Sequence, residues 1–161
     1  MIPLKAHSGR INRDGVNWLL FLRSHGFGAC LADDMGLGKT IQMIAYFTYL
    51  KEQESNAAPS LIIAPTSVLG NWRRELETFA PHLNVALHYG PSRPQREHFT
   101  KAYESTDIVL TSYGLSHSDR DELTSAKWDT ICLDEAQNIK NAHTKQSRAI
   151  RQLKGQHHIV L

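Results

Sequence analysis

Two short segments of the sequence carry residue types that bind nucleotides and metal ions. The first, LADDMGLGKTIQ, places Gly36 and Gly38 just ahead of Lys39 and Thr40. Its end matches the phosphate-loop pattern G-x-x-x-x-G-K-[ST], in which glycines bring backbone N–H groups close to phosphate oxygens. Asp33 replaces the first glycine of the pattern. This segment alone is therefore equally consistent with a nucleotide site and with a glycine turn before a surface lysine.

The second segment, ICLDEAQ, ends an apolar run with Asp134 and Glu135. Nucleotide-hydrolysing proteins place a magnesium-binding carboxylate at such a strand end, and a neighbouring acid can activate the attacking water. An acidic strand end that caps the next helix is the simpler alternative. Because both segments occur in one chain, binding of ATP or GTP is preferred. Lys39 would reach the β- and γ-phosphates, and Thr40 and Asp134 would hold Mg²⁺.

The elements that must position these segments alternate along the chain. The runs typical of buried strands are FGACLAD, SLIIAP, NVALHYG, DIVLTSYG, WDTICLDEA and HHIVL. The stretches with helical character are GVNWLLFLRSH, KTIQMIAYFTYLKEQ, TSVLGNWRRELETFA, PQREHFTKAYES and AHTKQSRAIRQLKG. This alternation predicts an α/β fold with a mainly parallel sheet and helices on both faces. Ligands bind beyond the carboxyl ends of such strands, where both chemical segments lie.

The composition indicates one globular domain over residues 1–161. Hydrophobic residues make up 41% and charged residues 21%, and the net charge of +2 neither requires nor excludes nucleic acid. Cys30 and Cys132 lie in apolar runs, so both are expected to be buried, reduced thiols. The sequence has no C-x-x-C, no signal-peptide pattern and no apolar run of about 18 residues. These features favour a cytoplasmic protein with no membrane partner.

A dinucleotide site of the Rossmann type explains the glycines less well. Neither GFGACL nor GLGKTI contains the third glycine of G-x-G-x-x-G. No acidic residue ends a second strand to bind a ribose. A Rossmann dehydrogenase is therefore rejected.

Four segments in order resemble motifs of the Swi/Snf-type ATPases of helicase superfamily two. They are LADDMGLGKTIQ, LIIAPTSVLGNWRREL, DIVLTSYG and ICLDEAQNIKN, and the resemblance runs from about Gly15 to Leu161. In that family an acidic residue commonly replaces the first glycine, so Asp33 is expected. Members are ATP-driven translocases on double-stranded DNA that remodel protein–DNA complexes, generally without unwinding strands. The resemblance implies a P-loop, RecA-like fold, the cofactors ATP and Mg²⁺, and double-stranded DNA as partner.

The resemblance also implies roles for individual residues. Glu135 would activate water, and Gln137 falls where related proteins carry a histidine or glutamine that senses the γ-phosphate. The residues implied for ATP are Asp34, Met35, Gly36, Leu37, Gly38, Lys39, Thr40 and Gln137, with Thr40 and Asp134 for the metal. Those implied for the DNA backbone are Thr66, Ser67, Thr111, Ser112 and Lys140. Independently of the family, Thr66 and Ser67 suit helix capping that leaves N–H groups for a phosphate.

The sequence departs from the family at both ends. The family's adenine motif, L-x-x-Y-Q-x-x-G, is matched at Gly15 alone, and Asn12 stands in place of its glutamine with a side chain one methylene shorter. Residues 1–13 therefore need not be native to this lobe. At the other end, a TGTP-like motif and a second RecA-like lobe follow the strand that HHIVL matches in the family. The expectation is the first, ATP-binding lobe of a two-lobe motor, inactive alone, in the cytoplasm, on the nucleoid or in a eukaryotic nucleus.

Two alternatives stay open. One is a lobe of another superfamily-two helicase or of a restriction-type motor, although NWRREL and DEAQNIKN favour the Swi/Snf type. The other is a nucleotide-binding interaction module without enzymatic activity.

Overall fold

A computed structural model of the chain describes residues 10–31, 38–53, 57–138 and 144–161. The strands are Ala29–Cys30 (β1), Ser60–Ala64 (β2), Val85–Leu87 (β3), Ile108–Ser112 (β4), Trp128–Leu133 (β5) and Gly155–Val160 (β6). The helices are Arg10–Ser24 (α1), Lys39–Gln53 (α2), Thr66–Phe79 (α3), Glu97–Ala102 (α4), Tyr113–Ser118 (α5), Arg120–Ser125 (α6) and Lys145–Arg151 (α7), with a short 3-10 helix at Ala136–Asn138.

The six strands form one sheet in the order β1-β6-β5-β2-β4-β3, and every pairing is parallel. Residues of β2 and β4 are buried along their whole length, as their continuous apolar runs predict. Because the strands are parallel, all their carboxyl ends meet at one edge of the sheet. The predicted parallel α/β sheet is confirmed.

Helices cover both faces of this sheet. On one face Leu19 of α1, Met43 of α2 and Trp72 of α3 share a buried cluster. On the other face Phe99 of α4, Leu123 of α6 and Ile150 of α7 belong to a second cluster. None of the helices in the described ranges combines the length and the hydropathy that a transmembrane span requires.

The first strand differs from its prediction. The apolar run from Phe27 to Asp33 predicts a strand buried on both faces, whereas β1 contains two residues and lies at the sheet edge beside β6. An edge position leaves Cys30 exposed, so the prediction that both thiols are buried is wrong for Cys30 and confirmed for Cys132. The apolar composition of the run cannot distinguish an edge strand from a central one.

Two short helices were not expected from the sequence. α5 and α6 occupy the polar stretch between β4 and β5 and have six residues each. Ser112 caps α5, since its hydroxyl accepts the N–H of Leu115 at 3.2 Å. Leu123 is the fully buried residue of α6. Such short helices carry too few turns for a recognisable apolar period.

Candidate functional site

The predicted chemical segments lie at the same edge of the sheet. α2 follows β1 along the chain, and Asp134 follows β5 directly. One strand, β6, separates β1 from β5, so their ends are about 10 Å apart at the usual interstrand spacing. This span is suitable for a polyphosphate and a cation between the two segments.

The helix after the glycine turn begins where the phosphate-loop pattern predicts. Gly38 has a φ of +97°, a left-handed conformation that glycine adopts without strain, and α2 starts at Lys39. Lys39 and Thr40 are half-buried in the first turn, where backbone N–H groups have no intrahelical partner. Helix N-termini of this kind bind anions. The remaining predicted loop residues lie outside the described residues: Asp33, Asp34, Met35, Gly36 and Leu37.

Helix α1 packs against the first turns of α2 at Gly15. A Cβ atom at this position would come within 2.6 Å of Gln42 Nε2, so a larger residue here would require the Gln42 side chain to move. This contact places α1 beside the N-terminal part of α2. Asn12 lies in the first turn of α1, and its side chain lies outside the described part of the structure.

Three hydrogen bonds from three elements hold Asp134. Its N–H donates to the carbonyl of Ile63 in β2 at 2.9 Å. Its carbonyl accepts the Tyr113 hydroxyl at 2.6 Å, and its Oδ2 accepts Trp72 Nε1–H at 2.7 Å. Among the described residues, no other side chain hydrogen-bonds to its carboxylate, which leaves Oδ1 for a ligand.

The charge of Asp134 affects the groups around it. Burial, and then the Asp134 carboxylate, raises the pKa of both Tyr113 and Cys132. The pKa of Glu75 is also raised, by burial first; Arg74 opposes this rise and Asp134 adds to it. Glu75 Oε2 is buried without a hydrogen-bond partner within the described residues. Partly desolvated negative charge at a sheet edge favours a cation.

The residues after Asp134 form a tight turn. Glu135 has a φ of +51°, which is uncommon for a residue with a side chain and costs of order 1 kcal/mol. Such conformations cluster at functional sites. Gln137 is exposed in the short 3-10 helix that follows. Lys140 lies outside the described residues.

Thr66 and Ser67 are exposed at the start of α3, beyond the end of β2. The prediction that they cap this helix is wrong. Pro65 occupies the N-cap position, no side chain accepts a capping hydrogen bond, and Thr66 is the first helical residue. Pro65 has no side chain that can accept a hydrogen bond, so the first N–H groups of α3 have no side-chain cap.

The second pair of predicted DNA residues is placed differently. Thr111 is fully buried in β4, and its hydroxyl donates to the carbonyl of His88 at 3.0 Å. Ser112 is also buried and caps α5. Their side chains are thus engaged within the protein, whereas Thr66 and Ser67 are accessible.

Sequence reasoning missed Trp72, Tyr113 and Glu75. Trp72 and Glu75 fit the apolar and polar faces of α3, so their patterns give no sign of a site. Trp72 and Glu75 lie in NWRREL, and Tyr113 lies in TSY. The resemblance of these two segments to family motifs is the feature of the sequence that could have indicated them. Within the described residues, no group of three or more His, Cys, Asp and Glu side chains could hold a metal ion.

The sequence of the chain is similar to a known protein family and to several proteins of larger size. Residues 12–161 match the family of SNF2-related domains. The chain is 74% identical over 147 residues to the putative ATP-dependent helicase/translocase YwqA of Bacillus subtilis, and 36% identical over 171 residues to the TATA-binding protein-associated factor mot1 of Schizosaccharomyces pombe. These alignments cover 91% and 99% of the chain, but only 16% and 9% of the relatives.

A solved structure shares the fold over nearly the whole chain. The Sulfolobus solfataricus SWI2/SNF2 ATPase core in complex with double-stranded DNA aligns with a TM-score of 0.85 and 42% sequence identity. The alignment covers 98% of the chain and 32% of that core. The RecA-like fold expected from the sequence is confirmed.

Proposed function

The chain belongs to the family of SNF2-related domains, and we propose that it is the first, ATP-binding lobe of a DNA-dependent ATPase that translocates on double-stranded DNA. The observation that carries this proposal is the meeting of two segments at one sheet edge. The helix that starts at Lys39 and the acidic turn at Asp134 and Glu135 lie at the ends of strands separated only by β6.

ATP binds along this edge in the proposed function. The phosphate loop, with Asp34, Met35, Gly36, Leu37 and Gly38, surrounds the phosphates, and the ammonium group of Lys39 neutralises the β- and γ-phosphate charge. Glu135 orients and deprotonates the attacking water. Gln137 responds to the γ-phosphate, and Asn12 contacts the adenine.

The residues present fit a magnesium ion. Mg²⁺ prefers oxygen ligands, and Thr40 supplies a hydroxyl while Asp134 supplies a carboxylate. Trp72 engages only Oδ2 of Asp134, so Oδ1 is available within the described structure. The ion would neutralise phosphate charge that develops during hydrolysis. In this proposal Thr40 and Asp134 hold it.

DNA binds at the same edge through its phosphates. Thr66 and Ser67 are accessible, and the first N–H groups of α3 suit a phosphate oxygen. The turn at Thr111 and Ser112 contributes its backbone, since both hydroxyls are used internally. Lys140 adds a positive charge. The SWI2/SNF2 core that shares this fold was solved with double-stranded DNA, which supports duplex as the partner.

A second RecA-like lobe completes the ATP site in this proposal. The chain spans 16% of the Bacillus subtilis relative and 32% of the archaeal core, so most of each lies outside the matched region. The proposed location is wherever the DNA lies: the cytoplasm or the nucleoid, or the nucleus in a eukaryote. The match to SNF2-related domains argues against the alternative of a lobe from another superfamily-two helicase or a restriction-type motor.

Calorimetric titration of the chain with Mg-ATP, and separately with a blunt DNA duplex, tests the proposal. Both ligands should bind, and the affinity for duplex should not depend on its sequence. Absence of any heat with Mg-ATP in a folded sample would refute the assignment of the ATP site.

A further inference from the structure

Resting on the proposed function, we propose that Trp72 and Tyr113 are positioning residues that connect two DNA-facing segments to the magnesium ligand Asp134. These segments are α3, which begins at Thr66, and the turn that follows Ser112 at the end of β4. Each lies on one of those segments, and each donates a hydrogen bond to Asp134. One bond fixes the carboxylate and the other fixes the backbone. The metal ligand is therefore sensitive to the position of both segments.

The first connection runs along α3. Trp72 follows Thr66 by six positions, which is about 9 Å along a helix. Helical side chains lean toward the N-terminus of their helix, so the indole points back toward the sheet edge. Trp72 is only 2% exposed, and its packing prevents the ring from turning away from Asp134. A shift of the α3 N-terminus on binding a phosphate is thus transmitted to Oδ2.

The second connection runs through the turn after β4. Tyr113 directly follows Ser112, the last residue of that strand, and its ring is buried. Its hydroxyl donates to the carbonyl of Asp134 at 2.6 Å, at the point where the backbone leaves β5. Glu135, the proposed base, is the next residue and adopts the left-handed conformation. Movement of the turn therefore changes the orientation of both acids.

Hydrogen bonds from neighbouring side chains to a metal ligand affect both metal binding and activity. Removing a group that orients a metal ligand typically reduces metal affinity or activity by about 10- to 100-fold. The bond from Trp72 also offsets the repulsion between Asp134 and the nearby carboxyl group of Glu75. Loss of either donor should weaken Mg²⁺ binding and uncouple hydrolysis from DNA.

Matched substitutions separate positioning from stability. Trp72→Phe and Trp128→Phe each remove an indole that is 2% exposed and donates one hydrogen bond, to Asp134 and to the Leu123 carbonyl respectively. Tyr113→Phe and Tyr103→Phe each remove a buried hydroxyl, the second bonded to His88. Within each pair, the two variants should show similar decreases in melting temperature.

The first experiment uses the chain itself and does not depend on catalysis. The Mg²⁺ concentration required for thermal stabilisation by ATP should rise about 10-fold or more in Trp72→Phe and remain unchanged in Trp128→Phe. In ¹⁵N spectra of the unsubstituted chain, Mg-ATP should shift the indole N–H signal of Trp72 relative to ATP with chelator. Equal Mg²⁺ requirements in the two variants, or an unmoved Trp72 signal, would overturn the proposal.

The second experiment measures coupling to DNA. The chain replaces the matched region of the Bacillus subtilis relative, and phosphate release is followed with and without duplex. At saturating Mg²⁺, the ratio of stimulated to basal kcat should fall about 10-fold in Trp72→Phe and Tyr113→Phe, with KM for ATP little changed. The two controls should keep the ratio of the unsubstituted hybrid. An unchanged ratio would overturn the connection. If the unsubstituted hybrid shows no DNA-stimulated hydrolysis, the proposed function fails, while the Mg²⁺ experiment still tests Trp72 separately.

Discussion

Arg23 of α1 and Asp129 of β5 form a bidentate ion pair. It lies at the amino end of β5, whereas the candidate site lies at the carboxyl end. The guanidinium donates to Oδ2 at 2.9 Å and to Oδ1 at 2.5 Å, and the two side chains are 16% and 7% exposed. Arg23 also bonds to the hydroxyl of Tyr46 in α2. Burial would lower the pKa of Arg23, but the hydrogen bond to Asp129 helps raise it above its ordinary value. β5 therefore carries a structural ion pair at its start and Asp134 beyond its end.

Asp129→Asn should destabilise the protein by about 3 kcal/mol, because it leaves the Arg23 charge largely buried without a counter-ion. Urea unfolding measures the change. The matched control is Glu77→Gln in the Arg73–Glu77 pair, whose side chains are 52% and 63% exposed. The control should change stability by less than about 0.5 kcal/mol. Equal effects of the two substitutions would contradict the structural role of the buried pair.

Stability should fall as the pH decreases from 7 to 5. Burial lowers the pKa of His88, partly against the effect of Asp119, and burial with the charge of Arg23 lowers the pKa of His157. Unfolded histidine gains a proton near pH 6.5, so the unfolded state binds more protons below this value and becomes favoured. Each histidine contributes up to about 1.4 kcal/mol per pH unit.

His88→Gln should flatten this pH dependence, as measured by urea unfolding at several pH values. Asp119 does not complicate this window. Hydrogen bonds from Arg93 and His88 outweigh burial and lower its pKa, so its contribution is lost only at more acidic pH. If the slope of unfolding free energy against pH is the same in His88→Gln, the buried, neutral His88 is not a cause of the pH dependence.

Lys39→Ala should abolish the thermal stabilisation that Mg-ATP gives the chain. A ligand that binds only the folded state stabilises it by an amount that grows with the logarithm of ligand concentration over Kd. Lys39 is the proposed cation for the β- and γ-phosphates, so its loss should raise the Kd. Lys101 is an exposed lysine of α4 on the far face, and Lys101→Ala should retain the full shift. An unchanged shift in Lys39→Ala would argue against the phosphate loop.

Binding to DNA should be weak, independent of sequence and strongly dependent on salt, because phosphates provide the contacts. Fluorescence anisotropy with two unrelated duplexes between low and physiological salt measures this. The double variant Thr66→Ala and Ser67→Ala should reduce affinity equally for both duplexes. Thr78→Ala, at the other end of α3, should not reduce it. Preference for one sequence, insensitive to salt, would contradict a motor that tracks the backbone.

The local elements were largely predictable from the sequence. The helix from Lys39 to Gln53 has the predicted bounds, and the runs around Leu61 and Ile131 form central strands. The helical spacing and the continuous apolar runs both reflect which residues are buried, so they can be read from the sequence itself. The order of strands and the edge position of Cys30 depend on long-range pairing, which local pattern does not encode.

The contacts at the site were less predictable. Trp72 and Asp134 are 62 positions apart in sequence, and their hydrogen bond depends on how α3 packs on the sheet. Thr111 belongs to a central strand, so its hydroxyl turns to the His88 carbonyl and not to solvent. The sequence motifs correctly located polar residues near the carboxyl ends of β4 and β5. Which atoms remain available there is decided by tertiary packing.

Phosphate release, measured with the chain alone and with the hybrid that contains it, tests the central claim most directly. The chain should turn over ATP near background with or without duplex, because an arginine from a second lobe is worth roughly 10³ to 10⁵ in rate. The hybrid should show DNA-stimulated hydrolysis that Glu135→Gln removes while ATP stays bound. Robust turnover by the chain alone that Glu135→Gln abolishes, or a folded hybrid that never responds to duplex, would contradict the account.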